Sequence, residues 1–161
     1  MAAAPEIRAA TRADAARMAL LINRIVDIGG TTAFTTQFDA DRIMAVFIAP
    51  TRALSCFVAY DGDRLAGFQA LTWADPNRPG KDRMPGDWTV IATYVDPEIH
   101  GRGIGSALMA ATLRAAADAG AAFVDATIRR ENTGGLAYYS RMGFEDYRST
   151  DDAVSKRRTP G

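Results

Sequence analysis

The sequence predicts an α/β fold: a mixed, mostly antiparallel sheet with one central parallel β–α–β unit, flanked by helices. Three observations predict it. Residues 88–128 read as strand, glycine loop, alanine-rich helix and strand, an order that sets two strands parallel. Residues 55–60 and 64–71 are β-rich runs joined by Asp61-Gly62-Asp63, a turn with hairpin chemistry, so they add antiparallel neighbours. Met18, Leu21, Ile22, Ile25 and Val26 recur at helical spacing and supply an apolar stripe to cover a sheet face.

Taken in order, residues 6–10 form a first strand. Thr11-Arg12-Ala13-Asp14 resembles a capping box with Asp in the place of Glu and opens a helix that ends near Gly29-Gly30. Residues 31–38, TTAFTTQF, are a polar loop interrupted by two aromatics. A second helix, 39–48, turns Ile43, Met44 and Phe47 inward and stops before Pro50. After the hairpin comes a long loop, 72–87, with Pro76, Pro79 and Pro85 and the cations Arg78, Lys81 and Arg83. Residues 91–95 read as a strand buried on both faces. Ile104, Ala107, Leu108 and Ala111 begin a helix ending near Gly120; 123–128 is a strand, 133–142 a helix stopped by Gly143, and 144–147 another strand. Residues 153–157 read as a final edge strand, with Lys156-Arg157-Arg158 solvated.

A length of 161 residues suits one domain, 1–161, with a sizeable core. Nineteen basic and nineteen acidic residues cancel, so no overall field recruits nucleic acid or a membrane surface. No apolar run approaches the length of a membrane span, and one cysteine excludes an internal disulfide, which together suggest a cytoplasmic protein. Cys56 has no basic neighbour in sequence to make a thiolate and reads as a core residue.

The chemistry gathers at 91–108, IATYVDPEIHGRGIGSAL. Gly101, Gly103 and Gly105 precede a helix whose first amides have no intrahelical acceptors, an arrangement that binds phosphate or pyrophosphate. No Lys-Ser or Lys-Thr follows, so this is not a P-loop. A dinucleotide fingerprint would need glycine where Ser106 stands, although Asp125 falls where its ribose acid would lie. His100-Gly101-Arg102-Gly103-Ile104-Gly105 resembles instead the pyrophosphate loop of the GNAT N-acetyltransferases, Gln/Arg-x-x-Gly-x-Gly/Ala, with His in the first position. The run from Asn132 to Phe144, with Tyr139 seven residues after Asn132 and then Gly143-Phe144, is similar to that family's second signature.

The resemblance implies an acetyl-CoA-dependent transfer of acetyl to a small primary amine, without a metal. The TTAF loop and the TYVDPEIHGRGIG stretch most resemble the phosphinothricin and methionine-sulfoximine acetyltransferases, which act on amino-acid analogues; a protein N-terminus or a polyamine is the alternative acceptor, and a CoA-binding module without catalysis is the alternative to an enzyme. It implies that amides from Gly101 through Ile104 and Gly105 to Ser106 meet the pyrophosphate, with His100 at the same loop or at the surface. Arg102 is a candidate phosphate partner. The backbone around Thr93, Tyr94 and Val95 would pair with the pantetheine arm and supply an oxyanion donor, with Asn132 near that arm. It puts the Tyr139 hydroxyl at the thioester sulfur. A phenol is protonated at neutral pH and so can donate to a leaving thiolate, which makes Tyr139 the candidate general acid. Tyr138, about 100° around the helix, is expected to pack. Val90 stands where such relatives carry a Glu, leaving Asp87, Glu131 or water to take the amine proton. Phe34, Arg78 and Arg83 are candidate substrate contacts, the cations because a buried acceptor carboxylate needs a partner. A homodimer is compatible with the resemblance.

Overall fold

In a computed structural model, which describes residues 4–29, 34–99 and 101–161, the elements follow the expected order with sharper ends. Strand β1 (Glu6–Ala9) leads through a 3-10 turn (Arg12–Asp14) into α1 (Ala15–Ile28). Helix α2 (Ala40–Ile43) continues into a π-helical turn (Met44–Ile48), where the second helix was expected to stay regular. The amide of Ala49 donates to Met44 O at 2.7 Å, five residues back, before Pro50 stops the chain. Strands β2 (Ala53–Asp61) and β3 (Arg64–Trp73) form the hairpin, with Gly62 at φ 63° in its turn. Then come β4 (Trp88–Val95), α3 (Ile104–Asp118), β5 (Phe123–Arg129), α4 (Thr133–Arg141), β6 (Glu145–Ser149) and β7 (Ala153–Arg158).

Among the described residues, seven strands form one sheet in the order β1-β2-β3-β4-β5-β7-β6, and only β4 with β5 is parallel. The mixed, mostly antiparallel sheet is therefore as expected, but its last strand is not at the edge. Strand β7 lies between β5 and β6, pairing Ala126 with Lys156 on one side and Asp146 with Lys156 on the other. Its position explains why the terminal cations are not solvated. Lys156 is 6% exposed, with its ammonium on Ser140 Oγ (3.0 Å) and the Asp146 carboxylate. Arg157 lies over the rings of Phe123 (4.4 Å), Tyr147 and Trp88, and Arg158 donates to Met142 O at 2.7 Å. Among the described residues, no helix is long and apolar enough to cross a membrane.

Strand alternation divides the core. Cys56, Val58, Tyr60 and Phe68 meet Met18, Leu21, Ile22 and Ile25 of α1 and Ile43 and Phe47 beyond it. Burying one such aliphatic side chain contributes about 1.5–3 kcal/mol. Phe57 and Ala59 face the other way, toward Ile104 and Leu108 of α3. Cys56 is a core residue as expected, its thiol pushed up to about 12 by burial.

The entry to α1 carries a buried ion. The Asp14 carboxylate accepts from the Thr11 amide (2.8 Å), from Tyr60 Oη (2.7 Å) and from both terminal nitrogens of Arg8 (2.8 and 2.9 Å). The Arg8 guanidinium holds this carboxyl well below the usual carboxylate range. A depressed pKa in the folded state means that its contribution to stability is present above the unfolded value, about 3.9, and is lost as pH falls below it. Asp14→Asn is therefore expected to cost about 1–3 kcal/mol at pH 6, from the donors left without their acceptor. That gap from wild type should narrow as pH falls from 4 to 2, a trend that urea melts at a series of pH values would read.

Candidate active site

The parallel pairing that defines the central unit is short. Strand β4 is registered with β5 only from Trp88 opposite Phe123 to Val90 opposite Asp125, whereas its pairing with β3 continues to Val95 opposite Gly67. Beyond Val90 the two strands have parted. On the β3 side, Ala74 N donates to Trp88 O and Asp96 N to Ala66 O, each at 2.9 Å or less. Antiparallel alternation then turns the backbone groups of even-numbered β4 residues toward β3, and those of Thr93 and Val95 toward the space where β5 has left. Ala92 to Val95 are accordingly half-buried, where a strand covered on both faces was expected.

That space is a cleft of about 610 Å³. One wall is β4 from Thr93 to Asp96; the floor is the loop Gly101–Gly103 and the first turn of α3; the opposite wall is Asn132, Gly134, Gly135, Tyr138 and Tyr139. Gly101 and Gly103 have φ of 68° and 71°, and a Cβ at either would meet no atom within 4 Å. Left-handed backbone with open space beside it is what a loop wrapping an anion requires. The first intrahelical bond of α3 runs from Ala107 N to Gly103 O at 2.9 Å, so the amides of Ile104, Gly105 and Ser106 are left for another acceptor. Helix α4 also begins at this cleft. Asn132 caps it, Oδ1 accepting from Gly135 N at 2.9 Å, and a Cβ at 135 would lie 2.5 Å from Asn132 Nδ2, so any larger residue there would displace the capping side chain. Two helix N-termini thus converge on one space, favouring negative charge in it.

The remaining expected residues separate into those brought here and those that are not. Tyr94 lines the cleft, and Arg102 does too while its guanidinium pairs with Asp61 at 2.8 Å. His100 lies outside the described residues. Phe34 packs edge-on against Phe38 (5.1 Å) and Phe47 (6.0 Å), and Phe47 in turn touches Tyr94 at 5.7 Å. Phe34 is not among the described lining residues, and Phe47 and Tyr94 connect it to the cleft. Arg78 and Arg83 are exposed in the loop before β4 and are not among the residues lining the cleft; Arg78 pairs with Asp82 at 3.3 Å. The structure does not bring them to the glycine loop. Asp87 and Glu131 are likewise exposed and outside the lining, and Glu131 pairs with Arg129.

Among the described lining residues the one carboxylate is Asp96. Burial pushes its carboxyl up, but the Glu98 amide and the guanidinia of Arg24 and Arg64 more than offset this and hold it low. It anchors the turn after β4 and is a poor base. Among the described residues no group of three His, Cys, Asp or Glu side chains could hold a metal ion.

Two tyrosines complete the site, and sequence reasoning placed only one of them. Tyr139 is 7% exposed; burial raises its phenol well above the ordinary value, and Thr93 Oγ1 lies 2.7 Å from its hydroxyl. Tyr138 was expected to pack. Its ring does, yet its hydroxyl also donates to Gly105 O at 2.7 Å, pinning α4 to the first turn of α3, and burial pushes it up to about 12. Gln69 of β3, fully buried, sits behind both: its Nε2 is 2.9 Å from Thr93 Oγ1 and 3.2 Å from Tyr138 Oη. A glutamine facing inward in an otherwise apolar strand was the available signal for it.

A family model described as the acetyltransferase (GNAT) family matches residues 27–144. The chain is 36% identical over 107 residues to a mycothiol acetyltransferase of Clavibacter sepedonicus, a match covering 66% of this chain and 31% of that protein. The chain thus spans about a third of the length of that relative. It is 33% identical over 147 residues to an aminoglycoside N(6')-acetyltransferase type 1 of Stenotrophomonas maltophilia, covering 91% of this chain and 90% of the other. In fold it resembles a phosphinothricin acetyltransferase from Sinorhizobium meliloti solved with acetyl-CoA, with a TM-score of 0.77 at 19% identity, covering 97% and 88% of the two chains.

Proposed function

The chain belongs to the acetyltransferase (GNAT) family, and from that membership we propose that it transfers acetyl from acetyl-CoA directly to the primary amine of a small molecule. The observation that carries this reading is the parting of β4 from β5 above a glycine loop, with Tyr139 on the facing helix. Amides of Ile104 to Ser106 and the loop Gly101–Gly103 bind the pyrophosphate. The backbone of Thr93 and Val95 holds the pantetheine arm, and one of their amides donates a hydrogen bond to the thioester oxygen as negative charge develops on it during attack by the amine. A donor in such a position is worth roughly 2.7–4 kcal/mol in other enzymes. Tyr139 protonates the departing sulfur. With Asp96 held ionised by two arginines, the amine gives its proton to water.

For the acceptor, an amino acid or an analogue of the phosphinothricin type is the first reading. An aminoglycoside-like polyamine is the second, favoured by the relative that matches nine-tenths of this chain. The carboxylate partner of an amino acid has to come from elsewhere than Arg78 or Arg83, which lie off the cleft. Two measurements test the proposal. Acetyl-CoA at 100 times its Kd should add about 2.7 kcal/mol of stability, whereas NAD and NADP should add none. Release of CoA thiol should then accompany turnover of amino acids, their analogues, aminoglycosides or polyamines in a panel that also holds peptides. Stabilisation by NAD alone overturns the activity; turnover of peptides alone overturns the acceptor.

A further inference from the structure

Five polar groups behind the cleft form one hydrogen-bonded chain, directed from Gly105 as far as Thr93. Its direction is set at Gly105, whose carbonyl can only accept. Tyr138 must therefore spend its proton there, at 2.7 Å, and can only accept from Gln69 Nε2 at 3.2 Å. This fixes the Gln69 amide with nitrogen toward the hydroxyls, and the same nitrogen donates to Thr93 Oγ1 at 2.9 Å. The cost of that orientation is visible: Gln69 Oε1 is buried without a hydrogen-bond partner. Turning the amide over would not relieve it cleanly, because Tyr138 would then face an oxygen it has no proton for.

We propose that Gln69, acting through Thr93, is the positioning pair that keeps the Tyr139 proton available to the cleft. Thr93 Oγ1 receives a hydrogen bond from Gln69; its 2.7 Å contact with Tyr139 Oη allows either hydroxyl to donate, and in the proposed arrangement Thr93 is the donor. Tyr139 Oη–H then has no call on it from behind and points at the sulfur. The inference rests on the proposed acetyl transfer and deepens it. During that reaction the amine nitrogen bonds to the acetyl carbon and loses a proton to water, and the carbon–sulfur bond breaks. Tyr139 hands its proton to the sulfur, leaving a phenolate that is reprotonated from solvent. The phenolate is where the chain matters most. Thr93 is its hydrogen-bond donor, and the Gln69 amide polarises Thr93 in that direction. Without it, burial alone would oppose the negative charge.

Thr93→Val removes the hydroxyl at nearly constant shape. It is expected to lower kcat about tenfold with KM for acetyl-CoA within twofold of wild type, and Thr93→Ser should restore kcat. Gln69→Leu should behave like Thr93→Val; if that buried change unfolds the protein, the Thr93 pair carries the test. In a Tyr139→Phe background, Thr93→Val should cost nothing further, because the chain acts only through the phenol. A readout independent of the acceptor is the Tyr139 Cζ resonance in 13C-tyrosine protein, assigned by its loss in Tyr139→Phe. It should shift in Thr93→Val and return in Thr93→Ser. Wild-type kcat in Thr93→Val, a loss that adds in full to that of Tyr139→Phe, or an unmoved resonance overturns the chain. If instead Tyr139→Phe itself keeps its kcat, the acid role under the proposed function has failed.

Discussion

Gly103→Val is expected to abolish binding of acetyl-CoA, raising Kd at least a hundredfold while the far-UV circular dichroism stays that of the wild type. Two effects act together. Residue 103 has φ 71°, a conformation that a β-branched side chain avoids, so the loop must shift or carry strain of about 1–3 kcal/mol. If the loop holds, the new side chain occupies the open space beside Gly103, where the pyrophosphate is to lie. Either outcome also displaces the amides of Ile104 to Ser106. A melt without ligand measures the strain, and calorimetric titration with acetyl-CoA measures the block to binding. Normal binding would show that the anion sits elsewhere.

Tyr139→Phe is expected to lower kcat by roughly a hundredfold and to leave acetyl-CoA affinity nearly unchanged, since it removes one donor and no packing volume. Burial holds the phenol protonated far beyond neutrality, so the defect should keep the same size from pH 6 to 9. A deficit that disappears at either end of that range would point to another group. Stability should fall by only about 1 kcal/mol, the usual worth of the bond to Thr93.

How much of this was legible in the sequence follows from how local each feature is. The glycine loop, the helix beginning at Thr133 and the Asp61-Gly62-Asp63 turn are set by residues within a few positions of one another, and all are found in place. The order of strands is not local. Nothing between residues 144 and 158 says that β7 inserts beside β5 and leaves β6 outside, so Lys156 was read as solvated when it is buried. The parting of β4 from β5 is equally silent, because a strand that loses its neighbour halfway along still carries β-forming residues. In the site, Tyr139 was announced by its spacing from Asn132, but Gln69 lies 69 residues from Tyr138 and meets it only after the sheet has formed. Arg78 and Arg83 are near β4 in sequence, but the loop carries them away from the cleft.

The gap beside Thr93 and Val95 is an edge that has been moved to the middle of a sheet. An ordinary outer edge is a hazard, since its unanswered amides and carbonyls can recruit any extended chain, including a second copy. Here the opening is bounded by α4 on one side and by the end of α1 on the other, so a whole β-sheet cannot approach. Under the proposed function the occupant is the pantetheine arm, a slender thread with its own amides that enters lengthwise and completes the ladder. The architecture thereby turns an aggregation risk into a filter on molecular width, and it does so with backbone groups that no side-chain substitution in β4 would remove.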